Sequence, residues 1–226
     1  MNGTRRRGRG SRVEGREARA VRSLRRARVT WGLVVLACAA AGLQAAPLEP
    51  FSGRAAIAEA VRVGLSADAA AHEDFHAPYR RLLGGPFLQS IEVVSEFRRA
   101  VLGAERARGL GETWDASTAE RVLEPYRGLV TLIVRVRFNP QNTYREMPRL
   151  EAVIYQRGGG RVAPVNQQAT PAHLSGPAPP GTPILEGTLE SDFRVASLDP
   201  RGQYLVGLFL DGRELQRIPL DLGALR

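Results

Sequence analysis

The chain has 226 residues, with 32 arginines, no lysine and 23 acidic residues, giving a formal net charge of +9. Residues 1–28 carry eleven of the arginines against Glu14 and Glu17, and the rest holds 21 arginines against 21 acids. The high pI therefore belongs to the N-terminus, and composition gives no basic nucleic-acid groove on the folded part. One cysteine, Cys38, excludes an intramolecular disulfide.

Residues 1–46 read as a basic leader and signal peptide. Val29 to Ala46, VTWGLVVLACAAAGLQAA, follows Arg25, Arg26 and Arg28 and precedes Pro47. A basic start, an apolar run and a small-residue exit are the three parts of a secretory signal. The apolar run is Ala-rich and shorter than the roughly 20 strongly apolar residues a spanning helix needs. Cleavage is expected after Ala45 or Ala41, which leaves a periplasmic or secreted domain. Val35 to Cys38 resembles a lipobox, and lipidation of Cys38 would make the product a membrane-anchored lipoprotein; an uncleaved anchor is the third outcome. Arg25 and Arg26 stand where a twin-arginine signal has its pair, although their neighbours fit that pattern poorly. A start at Val21 would leave an ordinary basic region, so residues 1–20 need not be translated.

Residues 47–126 are expected to be mainly helical. After a tether over residues 48–53, RAAIAEAVRV (54–63) has helical composition, and Ser66 is the expected N-cap of a second helix that Pro78 ends. Tyr79 to Leu83 is expected to add a helical turn before Gly84 and Gly85. Residues 87–109 fit a short strand, IEVVS, running into Ser95 as N-cap, followed by a helix from Glu96 to Ala107. Ser117 and Glu120 form a capping-box pattern that opens a helix to about Tyr126.

From Leu129 the apolar period changes to two. Val130, Leu132, Val134, Val136 and Phe138 share one face of a strand, with Thr131, Arg135 and Arg137 on the other. Further strands are expected at 150–156, 161–165 and 184–193, while the Pro-rich stretch 166–183 reads as a loop. Asp199 to Gly202 is a type I turn pattern. Residues 204–210 and 213–220 read as a hairpin closed by Asp211 and Gly212. The expected fold is α+β: an N-terminal helical segment packed on a C-terminal antiparallel β-sandwich over residues 128–226. That sandwich would be immunoglobulin-like in general architecture, without the Cys and Trp landmarks of that fold.

The candidate chemistry is sparse. His72, Glu73, Asp74, Phe75 and His76 form H-E-x-x-H, which puts two histidines one helical turn apart for zinc with Glu73 placed as base. Glu96 lies 20 residues beyond His76, and in these few positions the chain resembles zinc peptidases of the thermolysin-like kind, which implies His72, His76 and Glu96 as ligands. Asp74 and Pro78 depart from that pattern, so the bland reading is a solvated helix end. His173 falls in the Pro-rich loop without a partner nearby in sequence. Asp192, Asp199, Asp211 and Asp221 could line a calcium site between loops, although turn chemistry already explains Asp199 and Asp211. Arg135 and Arg137 could meet an acidic partner, or serve solubility. Nucleophile elbows, phosphate-binding glycine loops and paired cysteines are absent from the sequence.

These features predict an exported envelope or periplasmic protein, non-enzymatic, requiring no cofactor, with a binding or scaffolding role toward an envelope protein or a polysaccharide. Contact with nucleic acid is not expected, and contact with a membrane is expected only through the leader or a lipid on Cys38. The alternative is a small exported zinc-dependent hydrolase built on the HEDFH stretch.

Overall fold

A computed structural model of the chain describes residues 53–172 and 182–225. Residues 1–46, read above as a leader and containing Cys38, and His173 lie outside the described residues. Helix α1 (Arg54–Leu65) turns Ile57, Ala60, Val61 and Gly64 to one buried stripe, the spacing of an amphipathic helix. Helix α2 (Ala69–His76) is capped by Asp68, whose carboxylate accepts from the Ala70 and Ala71 N–H groups. Ser66, the expected cap, instead accepts from the Asp68 N–H. The carboxylate wins because it satisfies two orphan donors and its charge suits the helix start.

Pro78 sits in a 3-10 turn, Ala77–Tyr79, immediately after α2. Residues 80–82 then form strand β1 (Arg80–Leu82), where a helical turn was expected. Its partner decides the matter: β1 pairs antiparallel with β2 (Leu88–Val94), Arg80 opposite Glu92. Ser95 ends β2 and caps α3 (Glu96–Leu110), its hydroxyl accepting from the Arg98 N–H at 3.2 Å. Helix α4 (Ala116–Leu123) is capped by Asp115 rather than by Ser117. The Asp115 carboxylate takes both the Thr118 N–H and the Ser117 hydroxyl, leaving Ser117 inside the first turn.

The remaining strands are β3 (Leu129–Arg137), β4 (Leu150–Tyr155), β5 (Arg161–Val162), β6 (Asn166–Ala172), β7 (Glu186–Arg194), β8 (Gln203–Leu210) and β9 (Arg213–Asp221). The reading of 166–183 as loop is corrected over 166–172 by β6, which pairs with β7 from Asn166 opposite Asp192 to Ala172 opposite Glu186, and residues 173–181 lie outside the described residues. As the outermost strand of its sheet it needs no apolar alternation, and Pro171 is tolerated there because one side of the ladder is open.

The described residues form an α+β fold with two antiparallel sheets, ordered β1-β2-β3-β7-β6 and β5-β4-β8-β9. Both sheets feed one core. Val130, Leu132, Val134 and Val136 of β3, Leu189 and Phe193 of β7, Ile154 of β4, Val206 and Leu208 of β8 and Ile218 of β9 are all buried in it. A second core joins Ile57 and Val61 of α1, Phe97 and Val101 of α3 and Leu123 of α4, with Phe75 packed against both. Within 47–126, strand β2 pairs with β3 from Leu88 to Val94 and is integral to the larger sheet. No described helix is long and apolar enough to cross a membrane.

Candidate functional site

Helix α2 places His72 and His76 one turn apart, and both converge on α3. Nδ1 of His72 and Nε2 of His76 each lie 2.8 Å from Oε1 of Glu105. Glu96, the expected third ligand, is elsewhere. It is buried at the start of α3, accepting from the Arg127 guanidinium at 2.9 Å and from the Gly128 N–H at 2.6 Å. Glu73, the expected base, is exposed.

Arg98 closes the cluster. Its guanidinium is 3% exposed, donates to the Val93 carbonyl at 2.6 Å, to Glu92 at 3.2 Å and to Nδ1 of His76 at 3.4 Å, and lies over the Tyr79 ring. Burial pulls this guanidinium below its ordinary range, and the neighbouring Glu92 offsets part of that loss. The network assigns the tautomers: two carboxylate-bound nitrogens must donate, so His72 carries its proton on Nδ1 and His76 on Nε2. His76 then accepts from Arg98 through Nδ1, while Nε2 of His72 is buried without a partner. The cluster binds α2 to α3 and α3 to β2. Among the described residues no group of three or more His, Cys, Asp or Glu side chains has the arrangement to hold a metal ion.

The other singled-out residues are dispersed. Asp192 accepts from Thr131 at 2.6 Å and from Asn166 at 3.2 Å, and Arg99 of α3 donates to the same Thr131 hydroxyl. Asp199 and Asp221 each accept a backbone N–H in their own turn, from Arg201 and Gly223, and Asp211 accepts the Arg149 N–H from the residue before β4. The four acids are therefore not gathered into one set of oxygens. Arg135 approaches Glu92 at 3.7 Å and Arg137 pairs with Glu186 at 2.9 Å, so both outward arginines of β3 face acids of this chain.

Sequence reasoning missed an open groove on the outer face of the four-stranded sheet, which Arg81 of β1 reaches from the other sheet. Tyr155, Leu205 and Pro219 lie side by side across β4, β8 and β9, while their chain neighbours Ile154, Val206 and Ile218 point into the core. Arg81 reaches over from β1 and donates to the Pro219 carbonyl at 3.4 Å. The resulting hollow of about 570 Å³ has Arg157 and Gln203 on its walls. It shares Gln156, Arg157, Gln203 and Tyr204 with a second hollow that extends to Arg201.

Both turns that carry these arginines are held in place. Gln156 bridges from the β4–β5 turn to the Ser197 carbonyl at 3.3 Å, and the Asp199–Gly202 turn closes with a 2.8 Å backbone bond. Arg157 and Arg201 themselves have no ion pair or side-chain hydrogen bond among the described residues. No short motif announces such a site, because it assembles turns and strand edges 140 residues apart in sequence, from Arg81 to Asp221. No family model, curated protein or solved structure matches this chain, so its function rests on the geometry above.

Proposed function

We propose that the protein is exported and serves outside the cytoplasm as a non-enzymatic binding or scaffolding domain built on an immunoglobulin-like sandwich. Strand order supports the architecture. The run β2-β3-β7-β6 in one sheet faces β5-β4-β8-β9 in the other, which is the arrangement of strands A, B, E, D and C′, C, F, G in that fold. The phenol of Tyr204, at the start of β8, bonds back to the backbone of Asp199, the position and role of the tyrosine corner in such sandwiches. The basic, apolar and small-residue order of the leader supports export, with Cys38 as the lipid-bearing residue if the product is anchored.

The groove over β4, β8 and β9 carries the binding reading. Arginines without partners on well-held turns are available to a ligand, whereas His72, His76, Glu92, Glu96, Glu105 and Arg98 are spent on joining helices to sheet. An envelope protein or a polysaccharide is the expected partner. The test is to express the full chain in a bacterium, fractionate the cells and take an intact mass. A chain beginning at Gly42 or Ala46, or a diacyl adduct on Cys38, is the expected result. Unprocessed protein confined to the cytoplasm would overturn the reading.

A further inference from the structure

Resting on that reading, we infer that the groove at Arg81, Tyr155, Arg157, Arg201, Leu205 and Pro219 binds a carboxylated oligosaccharide, with Arg157 and Arg201 taking the sugar carboxylates. Charge makes the first argument. Arg81, Arg157 and Arg201 line the two joined hollows, against the acids Asp199 and Asp221. Arg157 and Arg201 pair with no carboxylate among the described residues, while both acids are already held by backbone N–H groups. A planar guanidinium with five donors matches a carboxylate in two-point fashion, and holding its backbone rigid lowers the entropy lost on binding.

The remainder of the lining decides between classes of acidic ligand. Gln203 offers both a donor and an acceptor, and the Asp199 and Asp221 carboxylates retain lone pairs that accept hydroxyl protons. A chain bearing hydroxyls as well as carboxylates uses all of these groups, whereas a purely anionic one meets two acids it cannot satisfy. Leu205, Pro219 and Tyr155, whose ring also carries the Arg217 guanidinium 4.8 Å from its centroid, provide a floor for the C–H faces of sugar rings. An acidic peptide that bound by strand addition would need an open strand edge. The adjacent edge is β9, where Pro219 has no N–H to give and its carbonyl is already taken by Arg81. The hollow is also within the roughly 300–1,000 Å³ of sites that hold small ligands.

The test is calorimetric titration of the protein, in the processed form recovered from an expressing bacterium, with oligogalacturonate, alginate and hyaluronan oligomers. Methyl-esterified oligogalacturonate and a polyglutamate peptide of equal charge are titrated in parallel. At least one carboxylated oligosaccharide is expected to bind, with affinity falling as salt rises. The double variant R157A/R201A is expected to lose that binding by about tenfold or more, without change in melting temperature, since both side chains are exposed. R157Q/R201Q, which keeps length and polarity, is expected to lose it equally.

Failure of every acidic oligomer to bind overturns the proposal, as does equal binding of the methyl ester or undiminished binding by both variants. Tighter binding of polyglutamate would make the ligand a peptide and overturn the saccharide assignment. Processing and envelope retention are scored on the same double variant. Normal export and retention without saccharide binding would sink this inference and leave the export reading standing, while unprocessed cytoplasmic protein would sink that reading itself.

Discussion

The hydroxyl of Tyr204 is bonded to both backbone polar groups of Asp199. The Asp199 N–H donates to the phenol oxygen, and the phenol donates to the Asp199 carbonyl at 3.2 Å. One side chain thereby ties the start of β8 to the turn five residues before it, the turn that carries Arg201. The ring itself is buried in the shared core and closes over Gly202, where a Cβ would stand 2.6 Å from ring carbon Cε2.

Tyr204→Phe keeps the packing and removes only the hydroxyl, which leaves the Asp199 N–H without its partner and the Asp199 carbonyl with the Gly202 N–H alone. The expected cost is about 1–3 kcal/mol. Urea unfolding measures it, and a loss under about 0.5 kcal/mol would show that water replaces the phenol at that turn.

Glu105→Ala removes the acceptor shared by His72 and His76 and leaves their N–H groups unpaired against α3. The expected loss is about 1–3 kcal/mol, concentrated at α2. Hydrogen exchange is the readout: amides of α2 should exchange faster while those of β3 and β8 keep their protection. Uniform acceleration across the sheets would instead assign Glu105 a role in global stability.

Zinc and chelators are expected to leave the melting temperature unchanged. Both imidazoles already face one carboxylate oxygen of Glu105 at 2.8 Å, and the remaining ring nitrogen of His76 already accepts from the Arg98 guanidinium. A zinc-dependent rise in melting temperature that disappears in His72→Ala would reverse this account and revive the hydrolase alternative.

Gln167→Ala tests a link between the sheets. β5 covers β4 at Ile154 and Tyr155, and the Gln167 amide serves the stretch before them. It accepts from the Ala152 N–H at 2.8 Å and the Ser191 hydroxyl at 3.0 Å, and donates to the Leu150 carbonyl at 3.3 Å. Losing these bonds is expected to cost about 1–3 kcal/mol by chemical denaturation. Gln167→Glu should cost only part of this, because a carboxylate still accepts from Ala152 and Ser191 and loses only the bond to Leu150.

Where local chemistry decides structure, the sequence was legible. Ser95 marks the end of β2 and the start of α3 because a side-chain oxygen suits an orphan N–H of the first helical turn and its flanking patterns change period. Asp211 and Gly212, with φ of 50° and 78°, make the two-residue turn between β8 and β9 that Asp-Gly favours. The alternation in β3 placed Val130 to Val136 in the core, yet Thr131 on the opposite face is also buried, because Arg99 of α3 comes down on it.

By itself the sequence determined the leader pattern, the neutral charge of everything after it, the capped helices and the alternating strands, all of which depend on residues within a few positions of one another. Tertiary structure decided the rest. β1 and β6 are strands because a partner strand lies beside them, which no periodicity within three or seven residues records. Glu105 rather than Glu96 meets the histidines because burial against Arg127 and Gly128 claims Glu96 first. The groove with Arg157 and Arg201 exists because two sheets share one core, which brings their turns and edges together from distant parts of the chain.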